Sequence, residues 1–228
     1  MRFGSGDGDF ASQRARMVEH QLRRRGIGDE RVLEAMGDVP RELFVPEGYR
    51  RRSYADSALP IGESQTISQP WIVAAICQAL ELRGFERVLE VGTGSGYSAA
   101  VLARLAGEVT TVERVRGLAA AARELLDGME ISNVAVVVGD GSQGLPERAP
   151  FDSIAVHATA PAPPEPLVHQ LVVGGRLVVP IATDSADMLT VFGRLDEEVN
   201  VSTGDGLRRE VIGPCRFVPL IGTEGFPE

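Results

Sequence analysis

The stretch that decides the fold is VLEVGTGSGY, Val88 to Tyr97, in which a short apolar run ends in three alternating glycines. Gly92, Gly94 and Gly96 permit positive φ angles and let a ligand approach the backbone closely. The spacing is G-x-G-x-G, so it is neither the dinucleotide fingerprint G-x-G-x-x-G nor a P-loop. The stretch therefore predicts a strand, a ligand-binding turn and the start of a helix.

The residues around this turn alternate between strand and helix patterns, which is typical of a parallel sheet with helices on both faces. We predict an α/β fold with a doubly wound, mostly parallel sheet. The predicted strands are 87–91, 108–113, 133–140, 151–158 and 174–182, and the predicted helices are 96–106, 115–129 and 164–172. Three more strands, 188–195, 207–212 and 215–220, lack intervening helices and include a hairpin turn at 203–206. They should finish the sheet as an antiparallel edge.

The first 80 residues give weaker patterns, because prolines and glycines interrupt them. A helix is predicted at 10–25, where apolar residues recur at helical spacing, and Asp29 should cap a second short helix. Residues 39–69 are predicted to be extended chain and loop, and Pro70 suits the first turn of a third helix. We expect this part of the chain to form a cap over the ligand.

Acidic residues follow the next two predicted strands. Glu113 ends the second strand, and Asp140, followed by Gly141, ends the third. In doubly wound sheets an acid at the first position accepts hydrogen bonds from ribose hydroxyls, and an acid at the second can accept from an adenine amine. Each also has a structural interpretation, Glu113 as a helix cap and Asp140 as a turn former. Together they predict a ligand that carries adenosine without needing phosphates, which S-adenosyl-L-methionine satisfies.

Composition excludes several classes of function. The net charge is −9, which opposes nonspecific binding to nucleic acid, and all 23 basic residues are arginine. Without lysine there is no Schiff base and no pyridoxal phosphate anchor. The chain has no apolar run of membrane-span length and no secretory signal pattern at its start. Cys77 and Cys215 lack metal-binding spacing, so we expect no metal site and a cytoplasmic location.

The loop GESQTISQPW, Gly62 to Trp71, contains amides and hydroxyls but no general base and no strong nucleophile. Taken by itself, Ser68 is better interpreted as a helix cap before Pro70 than as a functional residue.

The chain closely resembles the protein-L-isoaspartate O-methyltransferase family over about residues 14–220. The N-terminal block and the QTIS motif are specific to this family. The blocks that carry the resemblance are RMVEHQLRRRGIGDERVLEAMGDVPRELFVP (16–46), SYADSALPIG (53–62), QTISQPWIVA (65–74), VLEVGTGSGYSAAVLARL (88–105), APFDSIAV (149–156), QLVVGGRLVVPI (170–181) and RFVPL (216–220).

The resemblance implies a seven-stranded class I methyltransferase that uses S-adenosyl-L-methionine. It implies one domain, 1–228, with a cap at 1–80, a cofactor-binding core at 81–185 and antiparallel strands at 186–228. It assigns Ser68 the catalytic position, with Gln65 and Thr66 as further substrate-binding residues. The implied cofactor contacts are Glu90, Gly92, Thr93, Gly94, Gly96, Glu113, Asp140 and Gly141.

The implied substrate is the free carboxylate of an L-isoaspartyl or D-aspartyl residue in a damaged peptide, and we expect the enzyme to be a monomer. A carboxylate, with a reference pKa of ~4, is already ionised at neutral pH, which accounts for a loop without a base. Two departures from the family pattern stand out, Glu63-Ser64 before QTIS and His157 where a small or hydroxyl residue is common. Two alternatives stay open: methylation of an ordinary aspartate in one partner peptide, and cofactor binding without turnover. The acidic charge disfavours nucleic-acid methylation.

Overall fold

The computed structural model describes residues 7–227, so residues 1–6 of the predicted cap and residue 228 lie outside it. The α-helices of this part are α1 (Asp7–Arg16), α2 (Glu30–Asp38), α3 (Pro70–Ala79), α4 (Tyr97–Ala103), α5 (Arg116–Gly128) and α6 (Glu165–His169). The strands are β1 (Leu59–Gly62), β2 (Gln65–Ile67), β3 (Arg87–Val91), β4 (Glu108–Glu113), β5 (Val134–Val138), β6 (Phe151–Val156), β7 (Leu171–Ile181), β8 (Asp187–Arg194) and β9 (Leu207–Cys215).

The predicted sheet is confirmed, with seven strands in the order β5-β4-β3-β6-β7-β8-β9. The strands from β5 to β7 pair in parallel, and β3 lies between β4 and β6. Successive residues of a strand face opposite sides of a sheet. Accordingly Val88 packs in the core with the N-terminal helices, and Leu89 packs in the other core with α6. This arrangement brings the carboxyl ends of β3, β4, β5 and β6 to one edge.

The antiparallel end of the sheet is confirmed, but its last strand was predicted wrongly. Strands β8 and β9 are antiparallel, and β9 runs unbroken from Leu207 to Cys215 instead of stopping before Gly213. Pro214 is tolerated there because β9 is an edge strand, in which a missing N–H need not interrupt the ladder. The predicted strand 215–220 does not extend the sheet.

Residues 216–227, here called the C-terminal segment, instead cross the end of β6. Thr159 N–H donates to the carbonyl of Val218, and Leu220 N–H donates to the carbonyl of Thr159. The segment therefore lies over the carboxyl edge of the sheet.

The predicted N-terminal helices are confirmed. Helix α1 continues through a π turn (Met17–Leu22) and a 3₁₀ turn (Arg23–Arg25) to Gly26, whose φ of +95° ends it. Asp29 caps α2, because its side chain accepts from the N–H groups of two residues in the first turn.

The prediction of loop for 39–69 was only partly right. The segment contains two 3₁₀ turns, Arg41–Phe44 and Glu47–Arg52, and the antiparallel hairpin of β1 and β2. Strands of three or four residues leave too short a pattern to recognise beside Pro60 and Gly62.

Helix α6 is shorter than the predicted 164–172, and β7 begins earlier than the predicted 174. The reason is tertiary: Leu171 pairs with Phe151 of β6, so the chain is already a strand there. Helix α4 likewise ends at Ala103, and 104–106 form turns. Across residues 7–227, none of the helices combines the length and apolar character needed to cross a bilayer.

Candidate active site

The carboxyl ends of β3, β4 and β6 border a cavity of about 270 Å³, here called the strand-end cavity. Open α/β sheets bind ligands at this edge. The sheet forms one wall, and the β1–β2 hairpin and the C-terminal segment form the other. The lining residues are Ser64, Gln65, Val91, Gly92, Val112, Glu113, Arg114, Gly141, His157, Ala158 and 218–221.

The glycine turn between β3 and α4 forms part of this wall. Gly92 has a φ of +93°, and a Cβ at that position would approach the Cβ of His157 to 3.4 Å. Gly96 serves packing instead, since a Cβ there would lie 3.3 Å from the Cβ of Ala122 in α5. Gly92 therefore lines the cavity, whereas Gly96 lets the turn pack closely against α5.

Glu113 joins the end of β4 to the glycine turn. Its side chain is mostly buried, and Oε2 accepts a hydrogen bond of 2.9 Å from the N–H of Gly94. Oε1 accepts from the N–H of Val115, which precedes α5. Helix α5 has no side-chain cap, so the interpretation of Glu113 as a helix cap is not confirmed. The carboxylate also borders the strand-end cavity, where its remaining lone pairs can accept from ligand hydroxyls.

Asp140 is held by the C-terminal segment. Oδ1 accepts from the N–H and hydroxyl of Ser142, and Oδ2 accepts from the N–H and hydroxyl of Thr223. Partial burial opposes ionisation, but the hydrogen bonds from Thr223 and Ser142 outweigh it and lower the pKa of Asp140. These four donors occupy the carboxylate, and only its neighbour Gly141 borders the cavity.

A smaller space of about 50 Å³, here called the loop cavity, lies between the hairpin and the glycine turn. Gln65 and Thr66 of β2 and the following Ser68 line one side, and the glycine turn lines the other. Five residues border both cavities, which therefore adjoin: Gln65, Gly92, Glu113, His157 and Val218. The structure thus brings the two predicted motifs together.

Arg41 positions the loop that carries Ser68, and sequence reasoning missed it. Its guanidinium is fully buried and donates from Nη2 to the carbonyl of Ser68 and from Nε to the carbonyl of Ser53, both at 2.7 Å. It also lies 4.8 Å from the ring centroid of Tyr97. Burial lowers the pKa of Arg41 despite the neighbouring tyrosines. The only signal in the sequence was an arginine close to the apolar residues of the stretch VPRELFV (39–45).

Glu90 lies beneath the site and does not border either cavity. Its side chain is 0% exposed, and Oε2 accepts a hydrogen bond of 2.6 Å from the hydroxyl of Thr111. Oε1 lies 3.3 Å from Nε2 of His157, a residue that borders both cavities. Thr111 is in turn 2.6 Å from the hydroxyl of Thr93, so a hydrogen-bonded chain supports the turn from below.

An outer groove of about 740 Å³ begins at the loop cavity, with which it shares Thr66, Ser68 and Val218. Its walls carry the aromatic rings of Trp71 and Phe217. The groove therefore connects the surface around Trp71 and Phe217 with Ser68.

The predicted site residues fall into two groups. Those that border a cavity are Gln65, Thr66, Ser68, Gly92, Thr93, Gly94, Glu113 and Gly141. Those that lie behind the turns are Glu90, Gly96 and Asp140. Within residues 7–227 the structure brings together no cluster of three potential metal-ligating side chains.

The sheet, the glycine turn, the acid after β4 and the adjoining hydroxyl-rich loop define a class I methyltransferase that depends on S-adenosyl-L-methionine. The family described as protein-L-isoaspartate(D-aspartate) O-methyltransferase matches residues 12–225. The chain belongs to this family, as the sequence resemblance predicted.

Named relatives are similar along almost the whole chain. A protein-L-isoaspartate O-methyltransferase of Syntrophus aciditrophicus is 49% identical over 217 residues, which cover 95% of this chain and 97% of that protein. One of Roseiflexus castenholzii is 50% identical over 225 residues, covering 96% and 99%. A Plasmodium falciparum beta-aspartate methyltransferase, solved with S-adenosyl-L-homocysteine, superposes with a TM-score of 0.75 at 26% identity over 93% of this chain and 98% of that one.

Proposed function

We propose that this protein transfers the methyl group of S-adenosyl-L-methionine to the free carboxylate of L-isoaspartyl and D-aspartyl residues in damaged peptides and proteins. The observation that carries the proposal is that the QTIS hairpin and the glycine turn line the same loop cavity. This cavity adjoins the strand-end cavity, so a cofactor in one can meet an acceptor in the other.

The strand-end cavity fits this cofactor. Apolar Val112 and Leu220 suit an adenine ring, and Glu113 offers acceptors to ribose hydroxyls. A Cβ at Gly141 would come within 2.5 Å of Val91, so only glycine leaves this turn in place. When bound, the cofactor supplies an electrophilic methyl group on a positively charged sulfonium. We assign direct contacts to the predicted residues that border a cavity, and support of the turns to Glu90, Gly96 and Asp140.

The acceptor side uses neutral donors. A carboxylate with a reference pKa of ~4 needs no base at neutral pH, so the protein has to orient it and exclude water. The hydroxyls of Ser68 and Thr66 and the amide of Gln65 can donate to a carboxylate without protonating it. Arg41 binds the backbone carbonyl of Ser68 and not its side chain, so the serine hydroxyl remains available for this role.

A peptide substrate suits the outer groove. An isoaspartyl residue lies within a chain, so its flanking residues must pass out of the site on both sides. The groove leads directly from Ser68 to solvent past Trp71 and Phe217, which can pack against peptide side chains. Once the ester has formed, the adjacent backbone nitrogen can displace methanol and give a succinimide, whose hydrolysis restores part of the material to aspartyl linkage.

Paired peptides test the function. The protein is incubated with methyl-labelled S-adenosyl-L-methionine and two peptides that differ only in isoaspartyl or aspartyl linkage at one position. We expect base-labile label on the isoaspartyl peptide alone. Equal labelling of both peptides would support methylation of ordinary aspartate instead, and cofactor binding without labelling would support a protein that does not turn over.

We further propose that the chain acts in the cytoplasm as a monomer, without a nucleic-acid partner, and as one domain. A net charge of −9 supports the absence of nucleic acid. The shared packing of Met17, Val88 and Leu189 in one core supports a single domain that joins 1–80, 81–185 and 186–228. Sedimentation and mobility-shift measurements check the oligomeric state and the nucleic-acid prediction.

A further inference from the structure

We propose that His157 is a further acceptor-binding residue, whose imidazole donates a hydrogen bond through Nδ1 to the carboxylate that receives the methyl group. The inference rests on the proposed function, because it assigns a further donor to the acceptor of that same site.

The position of His157 places it between cofactor and acceptor. Its backbone N–H donates to the carbonyl of Val91 at 2.8 Å, so the residue follows β6 directly beside the glycine turn. His157 borders both the strand-end cavity and the loop cavity, as Gln65 of the hairpin does. A methyl group that passes from one cavity to the other therefore passes this residue.

The orientation of the ring leaves one nitrogen for a ligand. Nε2 points into the protein, 2.8 Å from the hydroxyl of Ser98 and 3.3 Å from Oε1 of Glu90. Nδ1 makes no contact with these groups. A neutral imidazole has a single N–H, and when Nε2 accepts from the hydroxyl of Ser98 this N–H is on Nδ1, where it can donate to a ligand.

The neighbouring carboxylate leaves this arrangement unchanged. Glu90 is fully buried, and its Oε1 has no hydrogen-bond partner among the described residues. Oε1 and Nε2 are within ion-pair distance, although their geometry is not that of a hydrogen bond. The hydroxyl of Ser98 is therefore the hydrogen-bond partner of Nε2.

Other groups face the same space. Glu113 from β4 and Arg114 after it border the strand-end cavity with His157, one of each sign. From the C-terminal segment the uncharged ring of Phe217 lies 6.3 Å from the imidazole, centroid to centroid. Glu90 is thus the charged group in closest contact with His157.

The proposed hydrogen bond has a distinctive kinetic effect. The acceptor carboxylate loses its negative charge as the methyl is transferred, so a donor beside it stabilises the bound substrate at least as much as the transition state. Such an interaction lowers KM without raising kcat. A residue needed only for folding or for the shape of the turn would instead affect kcat and cofactor affinity.

The test is the His157→Gln variant, with His169→Gln as the matched control, because His169 is an exposed histidine on α6. A second variant, His157→Ala, which has no donor at all, guards against a fold defect specific to one side chain. Steady-state kinetics with an isoaspartyl peptide are measured with saturating cofactor, and S-adenosyl-L-homocysteine affinity is measured by calorimetry. We expect KM for the peptide to rise roughly tenfold to a hundredfold in both His157 variants, as is typical of lost hydrogen bonds to charged groups. kcat and cofactor affinity should stay within about threefold.

The outcomes separate the inference from the proposed function. An unchanged KM in both His157 variants, or a rise matched by equal loss of cofactor affinity, overturns the inference alone. Failure of the wild type to methylate the isoaspartyl peptide overturns the proposed function and the inference with it.

Discussion

Replacing Arg41 with methionine should lower both the stability of the fold and the rate of methyl transfer. The buried guanidinium connects two segments that are distant in sequence, through its hydrogen bonds to the carbonyls of Ser53 and Ser68. Methionine has similar length and can fill the space above Tyr97, so the change removes charge and donors with little loss of volume.

The magnitude follows from these contacts. Each hydrogen bond from a charged donor contributes about 1.5–3 kcal/mol, and methionine leaves both carbonyls without that donor. Removing the guanidinium also removes the cost of burying its charge, since Nη1 of Arg41 is buried without a partner among residues 7–227. This gain offsets part of the loss, so we expect the free energy of unfolding to fall by about 2–4 kcal/mol.

Arg104→Met is the matched control. Arg104 forms an ion pair with Asp38, in which both side chains are about half exposed. Exposed pairs contribute about 0–1 kcal/mol, so this variant should remain close to wild type.

Urea unfolding followed by circular dichroism measures the two stabilities, and transfer to an isoaspartyl peptide is measured where both variants remain folded. With Arg41→Met we expect transfer to fall at least about tenfold, because the loop that carries Ser68 loses its anchor. If Arg41→Met and Arg104→Met lose the same stability and keep the same activity, the role assigned to Arg41 is wrong.

Further predictions concern single side chains of the site. Ser68→Ala should lower transfer at least about tenfold while S-adenosyl-L-homocysteine affinity stays within about twofold in calorimetry; a collapse of that affinity would contradict the assigned role. Glu113→Ala, in contrast, should weaken cofactor binding by roughly 1–3 kcal/mol. Unchanged binding would show that Glu113 does not contact the cofactor. Because the pKa of Asp140 is lower in the folded state, its carboxylate stabilises the fold at neutral pH and loses that effect as pH falls. Asp140→Asn should therefore be less stable than wild type at neutral pH, with the difference shrinking below about pH 4 in pH-dependent urea unfolding. Burial raises the pKa of the Cys215 thiol to about 12, so iodoacetamide should modify it slowly at neutral pH in the folded protein, and rapid labelling would contradict its partial burial.

The sheet could be predicted from sequence because its strands are short apolar runs between glycines, each recognisable by itself. The run 87–91 and the alternation after it required no tertiary information. The strand 215–220 was predicted wrongly because a Gly-Pro pair, Gly213-Pro214, normally interrupts a strand. The Gly-Pro pair is tolerated within β9 because this strand lies at the sheet edge, and the local sequence does not reveal that position.

The site was predicted where a motif lies at the end of one strand, as with Gly92 and Glu113. It was missed where function depends on contacts between distant segments. Arg41 reaches Ser68 across 27 positions, and Thr223 reaches Asp140 across 83. No periodicity or spacing rule connects such pairs, because the fold that joins them must be known first.

The placement of charge explains why a loop without a base can serve this reaction. The acceptor brings its own negative charge, so an ionised side chain in direct contact would either repel it or stabilise it before transfer. The structure keeps Arg41 and Glu90 fully buried on either side of the site, where they act on Ser68 and His157 instead of on the cavity. Apart from Glu113, which belongs to the cofactor side, the polar side chains that border the loop cavity are hydroxyls, one amide and one histidine. If His157 binds the acceptor, its effect must appear in KM, since the charge it recognises is lost as the ester forms.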